Sequence, residues 1–175
     1  MSLQRETLNG CWILDKTREP WSMSQYLETM NVDPLAIIAH EKGETENDTY
    51  HTIELTDKSV KIVKRSRVNA DLIVDLQLGV EDVKILPPGD RPKKMLAKSD
   101  NAQHLKIESS LFTVNGMANV TDLKVLLQEG DKSVMKQDLA IVNQQTGRSH
   151  TTTRYFLPYL KTPPHLEEAA VPPAP

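Results

Sequence analysis

The chain has almost no cysteine and no hydrophobic segment of membrane length. Cys11 is the only cysteine in 175 residues, so an intramolecular disulfide is excluded. No run of about 18 apolar residues occurs, so no transmembrane helix is predicted. Residues 1–9 also have no apolar stretch typical of a signal peptide. These absences predict a reducing compartment, and we expect a cytoplasmic protein.

The chain also has no large excess of charge of either sign. Its formal net charge is −3, which argues against a nucleic-acid partner, because such binding requires a strongly basic surface. Hydrophobic residues make up 38% of the chain, which argues against wholesale disorder. A length of 175 residues suits one domain with a sizeable core.

Glycine is scarce, with seven in the chain, yet turn-forming residues recur at intervals through the second half. An Asn-Gly pair between two extended segments is typical of a hairpin, because both residues tolerate positive φ. Recurrent turns without helices between them predict consecutive antiparallel strands. The turn signals are Pro87-Pro88-Gly89-Asp90, Ser99-Asp100-Asn101, Asn115-Gly116, Gly130-Asp131 and Thr146-Gly147.

The segments between these turns have the pattern of strands. Residues 68–77 alternate apolar and polar side chains, with Ile73 as the exception, and this period of two predicts a half-buried strand. The other predicted strands are residues 8–14, 59–66, 80–86, 104–112, 121–128, 133–143 and 149–157.

Two short helices are predicted after the first strand. Ser22 can cap a helix that runs through Met30. Asp33 followed by Pro34 favours a second helix start, which we expect to end near Gly43. The predicted order is one strand, two helices and about nine further strands, which favours a closed barrel because closure removes exposed edges. An open two-layer sandwich is the alternative.

The predicted domain organisation has three parts. Residues 1–7 are expected to form a flexible N-terminus, and residues 8–160 the barrel. Residues 161–175 are rich in proline and are expected to form a disordered tail. A barrel of about ten strands is wide enough to hold a small ligand.

Four short motifs follow one another in a distinctive order. They are Gly10-Cys11-Trp12, residues 26–32, residues 76–81, and Thr153-Arg154-Tyr155-Phe156. Their order resembles that of the intracellular lipid-binding proteins, which are the fatty-acid-binding proteins and their retinoid-binding relatives in the calycin superfamily. The resemblance covers roughly residues 8–157.

The resemblance implies both a fold and a function. The fold is mainly β, a ten-stranded antiparallel up-and-down β-barrel of the lipocalin type with a two-helix lid after the first strand. The function is reversible binding and intracellular transport of a hydrophobic small molecule, a fatty acid or similar lipophilic carboxylate. Neither an enzymatic activity nor a cofactor is expected.

The chain departs from the pattern of that family near its end. Phe156 stands where the family usually has tyrosine, and Tyr155 is expected to point to the opposite face of the strand. The arginine that family members often carry two strands earlier has no counterpart in residues 123–128. Lys124 or Gln128 could substitute for it.

Arg154 is the predicted anchor for a ligand carboxylate, because a buried guanidinium requires an anionic partner. Thr152 and Phe156 share its strand face and are expected to add a hydroxyl group and an apolar contact. The alternative is that Arg154 packs on Trp12 or faces solvent. The complete set of predicted ligand-binding residues is Arg154, Phe156, Thr152, Lys124, Gln128, Tyr26, Met30 and Ile37.

The remaining predictions concern residues of the two helices and one basic strand. Tyr26 and Met30 lie on an apolar helix face, and Ile37 lies in the second helix, so these residues either contact ligand or pack on the barrel mouth. A basic cluster either touches an anionic membrane transiently or forms a solvated strand face. Its members are Lys61, Lys64, Arg65 and Arg67.

Motifs for metal binding or catalysis are absent from the sequence. The five histidines have no zinc-type spacing, and neighbouring Ser149 and His150 face opposite ways on a strand. Two other functions remain open. One is an interaction protein whose barrel is filled, and the other is a barrel enzyme acting on a lipid-like substrate. Two convergent titratable groups in a deep cavity would favour the enzyme.

Overall fold

A computed structural model of the chain describes residues 3–66, 71–86, 91–113 and 116–161. Among these residues, neither helix has the length and apolar character needed to cross a membrane. The elements are β1 (Gly10–Leu14), α1 (Ser24–Thr29), α2 (Pro34–Glu46), β2 (Thr49–Leu55), β3 (Ser59–Ser66), β4 (Leu72–Gln77), β5 (Asp82–Leu86), β6 (Arg91–Asn101), β7 (His104–Thr113), β8 (Gly116–Glu129), β9 (Lys132–Asn143) and β10 (Ser149–Pro158).

The ten strands form one antiparallel sheet that curls into a nearly closed barrel. The strand order is β4-β3-β2-β1-β10-β9-β8-β7-β6-β5, so the first and last strands of the chain pair with each other. The segment between β4 and β5 is held at both sides. Leu78 N–H donates to the Lys58 carbonyl at 2.9 Å, and Gly79 N–H donates to the Ala97 carbonyl at 2.8 Å. The predicted barrel with a helix pair after the first strand is therefore confirmed.

The strand predictions missed β2 and β6. In β2 the first two inward residues are Thr49 and His51, so the apolar alternation that marks a strand is weak there. β6 begins with Arg-Pro-Lys-Lys and includes residues 99–101, which were predicted to form a turn. The hairpin turn instead lies at Ala102 and Gln103, and Asn101 pairs with His104 across it.

The second helix begins as predicted and ends later than predicted. The Asp33 carboxylate accepts a hydrogen bond from Leu35 N–H at 2.9 Å, which caps the first turn. Gly43 lies inside the helix, and the chain leaves it at Asn47, whose N–H donates to the Gly43 carbonyl at 3.0 Å. This extra turn brings Glu44 into the helix, where it is the one buried residue.

The interior contains two apolar clusters. The first contains no residue of either helix and packs Leu8, Trp12, Phe156 and their neighbours from most strands. The second lies where α1 packs on β9 and β10. It joins Met30 to Val120 and Leu139, with Tyr26 packed against it. Buried polar residues also lie in the interior, and they form the candidate site.

The segment before β1 is in contact with the barrel. Arg5 N–H donates to Ser133 Oγ at 2.6 Å, and the Arg5 guanidinium donates to the Cys11 carbonyl at 2.8 Å. The same guanidinium lies 4.6 Å from the ring centroid of Trp12. Part of the segment predicted to be flexible thus contacts β1 and β9. Residues 162–175 of the predicted tail lie outside the described residues.

Candidate ligand-binding site

Three polar residues lie side by side across the inner face of β8, β9 and β10. Gln137 pairs in register with Lys124 on one side and with Arg154 on the other. All three side chains are buried. Because alternate residues of a strand face opposite ways, the residues two positions along each strand share this inner face. In one direction along the strands, these residues are apolar. They are Phe156, Met135 and Leu126.

Arg154 faces the interior, as the sequence predicted, but its partner is a carboxylate of the protein. Arg154 Nη2 lies 2.8 Å from Glu44 Oε2, and Thr49 Oγ1 donates to the same oxygen at 3.0 Å. Arg154 therefore neither packs on Trp12 nor faces solvent, and Arg5 covers Trp12 instead. The predicted contact between Arg154 and a ligand stays a prediction.

Asp122 is the centre of a second buried charge group. Its Oδ2 lies 2.6 Å from Lys124 Nζ and 3.4 Å from Lys64 Nζ, and its Oδ1 accepts from Gln137 Nε2 at 3.0 Å. Burial would raise the pKa of Asp122, but the charges of the two lysines outweigh it and hold the pKa below its usual range. Burial lowers the pKa of Lys124 to about 8, although the Asp122 charge opposes this.

His51 is a buried residue of β2. Its ring stacks on Phe156 with the centroids 4.6 Å apart. Burial lowers the pKa of His51 well below its usual value, and the charges of Lys124, Lys64 and Arg154 lower it further. The imidazole is therefore neutral at neutral pH.

A cavity of about 140 Å³ lies between α1 and these charged groups. Four of its lining residues have titratable side chains: Tyr26, Lys64, Lys93 and Asp122. Burial raises the pKa of Tyr26 to about 12, and the charge of Asp122 adds to the shift. The other lining residues are Leu72, Val74, Met95, Ile107, Ser109, Leu111, Val120 and Leu139. The cavity thus combines apolar walls with charge on one side.

The remaining predicted site residues are divided between the interior and the surface. Thr152 is buried on the face of Arg154, and Met30 is buried under α1. Ile37 is only partly buried. Gln128 is exposed, and its amide donates to the Arg5 carbonyl at 2.9 Å. Gln128 therefore holds the N-terminal segment and does not line the cavity.

The predicted basic cluster does not lie on one face of the sheet, because successive residues of a strand point to opposite faces. Lys64 was grouped with Lys61, Arg65 and Arg67 as a basic surface, but its side chain turns inward to Asp122. Arg65 pairs with Asp71 at 3.4 Å, and Arg67 lies outside the described residues. The predicted outward position of Tyr155 is confirmed, because its ring is covered by the Arg18 guanidinium at 4.7 Å.

Sequence reasoning missed several residues that the barrel brings together. Glu44, His51 and Asp122 were not predicted as site residues, and neither was Lys93. The signal for Asp122 was its spacing of two from Lys124, which places both on one strand face. For Glu44 no signal existed, because its partner is 110 positions away in the chain. Within the described ranges, no three His, Cys, Asp or Glu side chains are placed to hold a metal ion.

Solved structures share this architecture. Lipid binding protein 8 of Caenorhabditis elegans has a TM-score of 0.62 at 16% identity, with 89% of this chain and 98% of that chain covered. The chain has the fatty-acid-binding-protein fold. A REP1-NXSQ fatty acid transporter matches with a TM-score of 0.59 at 15% identity, over 89% of this chain and 98% of that chain.

The same fold also occurs in a protein whose name mentions no lipid. Secretory abundant heat soluble protein 4 of Ramazzottius varieornatus matches with a TM-score of 0.55 at 11% identity, over 89% of this chain and 97% of that chain. No family model matches this chain, and no curated protein matches its sequence. Any function on the fatty-acid-binding-protein fold must therefore be argued from the site.

Proposed function

We propose that the chain binds a hydrophobic small molecule reversibly inside its barrel and carries it within the cell. The proposed ligand is a fatty acid or a similar lipophilic carboxylate. The cavity under α1 carries this proposal, because it combines apolar walls with two lysines, Lys64 and Lys93. Ligand pockets commonly combine an apolar lining with a few charged groups that fix the orientation of the ligand.

Apolar burial would supply most of the binding free energy. Burying an alkyl chain against Met95, Ile107, Val120 and their neighbours stabilises a complex by about 25 cal/mol per Å² of apolar surface. The names of two similar structures, a fatty acid transporter and a lipid binding protein, support the same class of ligand. Binding and release require no chemical step.

Two of the four titratable groups on the cavity wall, Tyr26 and Asp122, do not favour an enzyme. Burial raises the pKa of Tyr26 to about 12. Lysine charges outweigh the opposing effect of burial and keep the pKa of Asp122 below its usual range. Both shifts lead away from neutral pH, whereas acid–base catalysis favours a pKa near the working pH. We therefore propose that the cavity binds its ligand without transforming it.

A filled barrel with a role in protein interaction is the second candidate. The cavity volume of about 140 Å³ is below the range of about 300–1,000 Å³ that is typical of drug-sized ligands. A packed apolar cluster around Trp12 and Phe156 occupies another part of the barrel core. A protein of this kind would bind no lipid of any length.

Two matched substitutions on β8 test the proposal. Val120 lines the cavity, and the neighbouring Asn119 is exposed on the outer face. Displacement of bound anilinonaphthalene sulfonate by octanoate and by palmitate is measured for the wild type, Val120→Phe and Asn119→Phe. Near-ultraviolet circular dichroism checks that each variant is folded.

We expect the wild type and Asn119→Phe to bind at least one of the two acids, and Val120→Phe to bind it at least tenfold more weakly, because the larger ring fills the cavity. Failure of the folded wild type to bind either acid overturns the carrier function and supports the filled barrel. Equal affinity of Val120→Phe and the wild type shows that ligand binds elsewhere.

A further inference from the structure

The cavity under α1 has more positive than negative charge around it. Lys64 and Lys93 line it together with one carboxylate, that of Asp122. Asp122 already contacts Lys124 at 2.6 Å and Lys64 at 3.4 Å. The Asp122 carboxylate is thus already the counter-ion of two lysines, and Lys93 is a third positive charge near it.

Of the two lysines that line the cavity, Lys93 is the one without a counter-ion among the described residues. It lies on β6, is partly buried, and shares its strand face with buried Met95 and Ala97. No carboxylate among the described residues lies within ion-pair distance of it. Burial lowers the pKa of Lys93, and the two charges that act on it, from Lys64 and Lys84, are both positive and lower it further. A partly desolvated ammonium group without an anion is costly, so this position favours an anionic ligand.

The two buried cations, in contrast, each lie next to a carboxylate of the protein. Arg154 pairs with Glu44 at 2.8 Å, with both side chains buried. Lys124 pairs with Asp122 at 2.6 Å. Arg154 already holds one carboxylate, and a ligand that displaced Glu44 would leave that carboxylate with the Thr49 hydroxyl as its remaining described partner, which is costly. No such displacement is needed at Lys93.

We propose that the carboxylate of the ligand binds to Lys93, with Lys64 beside it, and that Arg154 is not the anchor. This inference rests on the proposed carrier function and names the residues that fix the ligand head group. The alkyl chain then lies along the apolar wall formed by Met95, Ile107 and Val120. The ligand class is a compact amphiphile with one carboxylate group.

The test compares an acid with its neutral analogue. Octanoate and octanol share an alkyl chain and differ in charge, and their dissociation constants are measured by calorimetry for the wild type and Lys93→Met. Methionine keeps an unbranched side chain without the ammonium group. Lys94→Met is the matched control, because Lys94 is adjacent on β6 and lies on an outer groove lined by Glu81 and Glu108.

We expect Lys93→Met to weaken octanoate binding by about tenfold or more, which is typical of the loss of a hydrogen bond to a charged group. Octanol binding is expected to change less than twofold, and Lys94→Met to behave as the wild type. Lys93→Arg keeps the positive charge and is expected to bind octanoate within threefold of the wild type.

Four results would overturn the assignment. Unchanged octanoate binding in Lys93→Met is one, and an equal loss for octanol is another, because it would indicate packing and not charge. The third is a large loss of octanoate binding in the Glu44→Gln/Arg154→Gln double variant with none in Lys93→Met, which would make Arg154 the anchor. Binding of octanol but not octanoate to the wild type overturns the anion site alone, whereas binding of no amphiphile overturns the carrier function itself.

Discussion

Glu44 of α2 and Arg154 of β10 form an ion pair of 2.8 Å inside the barrel, with side-chain exposures of 6% and 5%. Glu44 is the only buried residue of α2, and the helix exposes Leu35 and Ile38. The second helix is therefore attached to the barrel interior through a charge and not through an apolar face. Three predictions concern the charges inside the barrel, and a fourth concerns the N-terminal segment that contacts β1 and β9.

Substitution of Glu44 by glutamine is expected to destabilise the fold by about 3–5 kcal/mol, because it leaves the Arg154 charge buried without a counter-ion. Urea unfolding measures the free energy. Glu46→Gln is the control, since Glu46 is exposed in the last turn of the same helix. The double variant Glu44→Gln/Arg154→Met is expected to recover part of the loss, and a double variant less stable than Glu44→Gln contradicts the ion-pair account.

Substitution of Asp122 by asparagine is expected to lower the pKa of Lys124 below its value of about 8. Burial lowers this pKa, and the Asp122 charge is the main influence that raises it. Titration of the isotopically labelled lysine side chain by nuclear magnetic resonance measures the shift. Asp131→Asn, in the exposed β8–β9 turn, serves as the control and should leave the Lys124 titration unchanged. A rise in the Lys124 pKa would argue against Asp122 as its counter-ion.

The stability of the fold is expected to decrease below pH 6.5 because of His51. Its folded-state pKa lies well below the unfolded value of 6.5, so the unfolded chain binds a proton that the folded chain does not. The contribution of His51 is present above pH 6.5 and is lost progressively as the pH falls from that value toward the folded-state pKa. The expected loss between pH 7.5 and pH 5.5 is on the order of 1 kcal/mol.

His51→Phe tests this assignment, since a phenyl ring can stack on Phe156 without titrating. Urea unfolding at the two pH values should then show a smaller difference than in the wild type, whereas His150→Phe, at a partly exposed position, should keep it. The same pH dependence in His51→Phe and the wild type would exclude His51 as its origin.

Arg5 is expected to stabilise the end of the barrel more than a surface arginine does. It donates to the Cys11 carbonyl at 2.8 Å and covers the buried Trp12 ring, so Arg5→Met should cost about 1–2 kcal/mol. Arg18→Met is the comparison, because Arg18 is also a cation over a ring but pairs with Glu129 on the surface. That loss should stay below about 1 kcal/mol. Equal thermal unfolding midpoints for the two variants would contradict the difference.

Most of the strands and the start of the second helix could be predicted from the sequence, because their signals are local. Alternation of apolar and polar residues, Asn-Gly and Gly-Asp turns, and the Asp33-Pro34 helix start are properties of neighbouring residues, which a linear pattern records. Most predicted strands are confirmed on this basis, including β3 at Ser59–Ser66. The strands that were missed, β2 and β6, place Thr49, His51 or several lysines where apolar residues would mark the pattern.

The identity of the partners inside the barrel was decided only by the tertiary structure. Alternation on β10 predicted that Arg154 faces the interior, but nothing near it in the sequence indicated that Glu44 would neutralise it. Lys64 was assigned to a surface cluster, and the curl of the sheet turned it toward Asp122, which is 58 positions away. Charges interact through space over a few ångströms, and only closure of the barrel sets those distances. The position of Lys93 on the cavity wall, without a carboxylate partner among the described residues, is for the same reason a property of the fold and not of any motif.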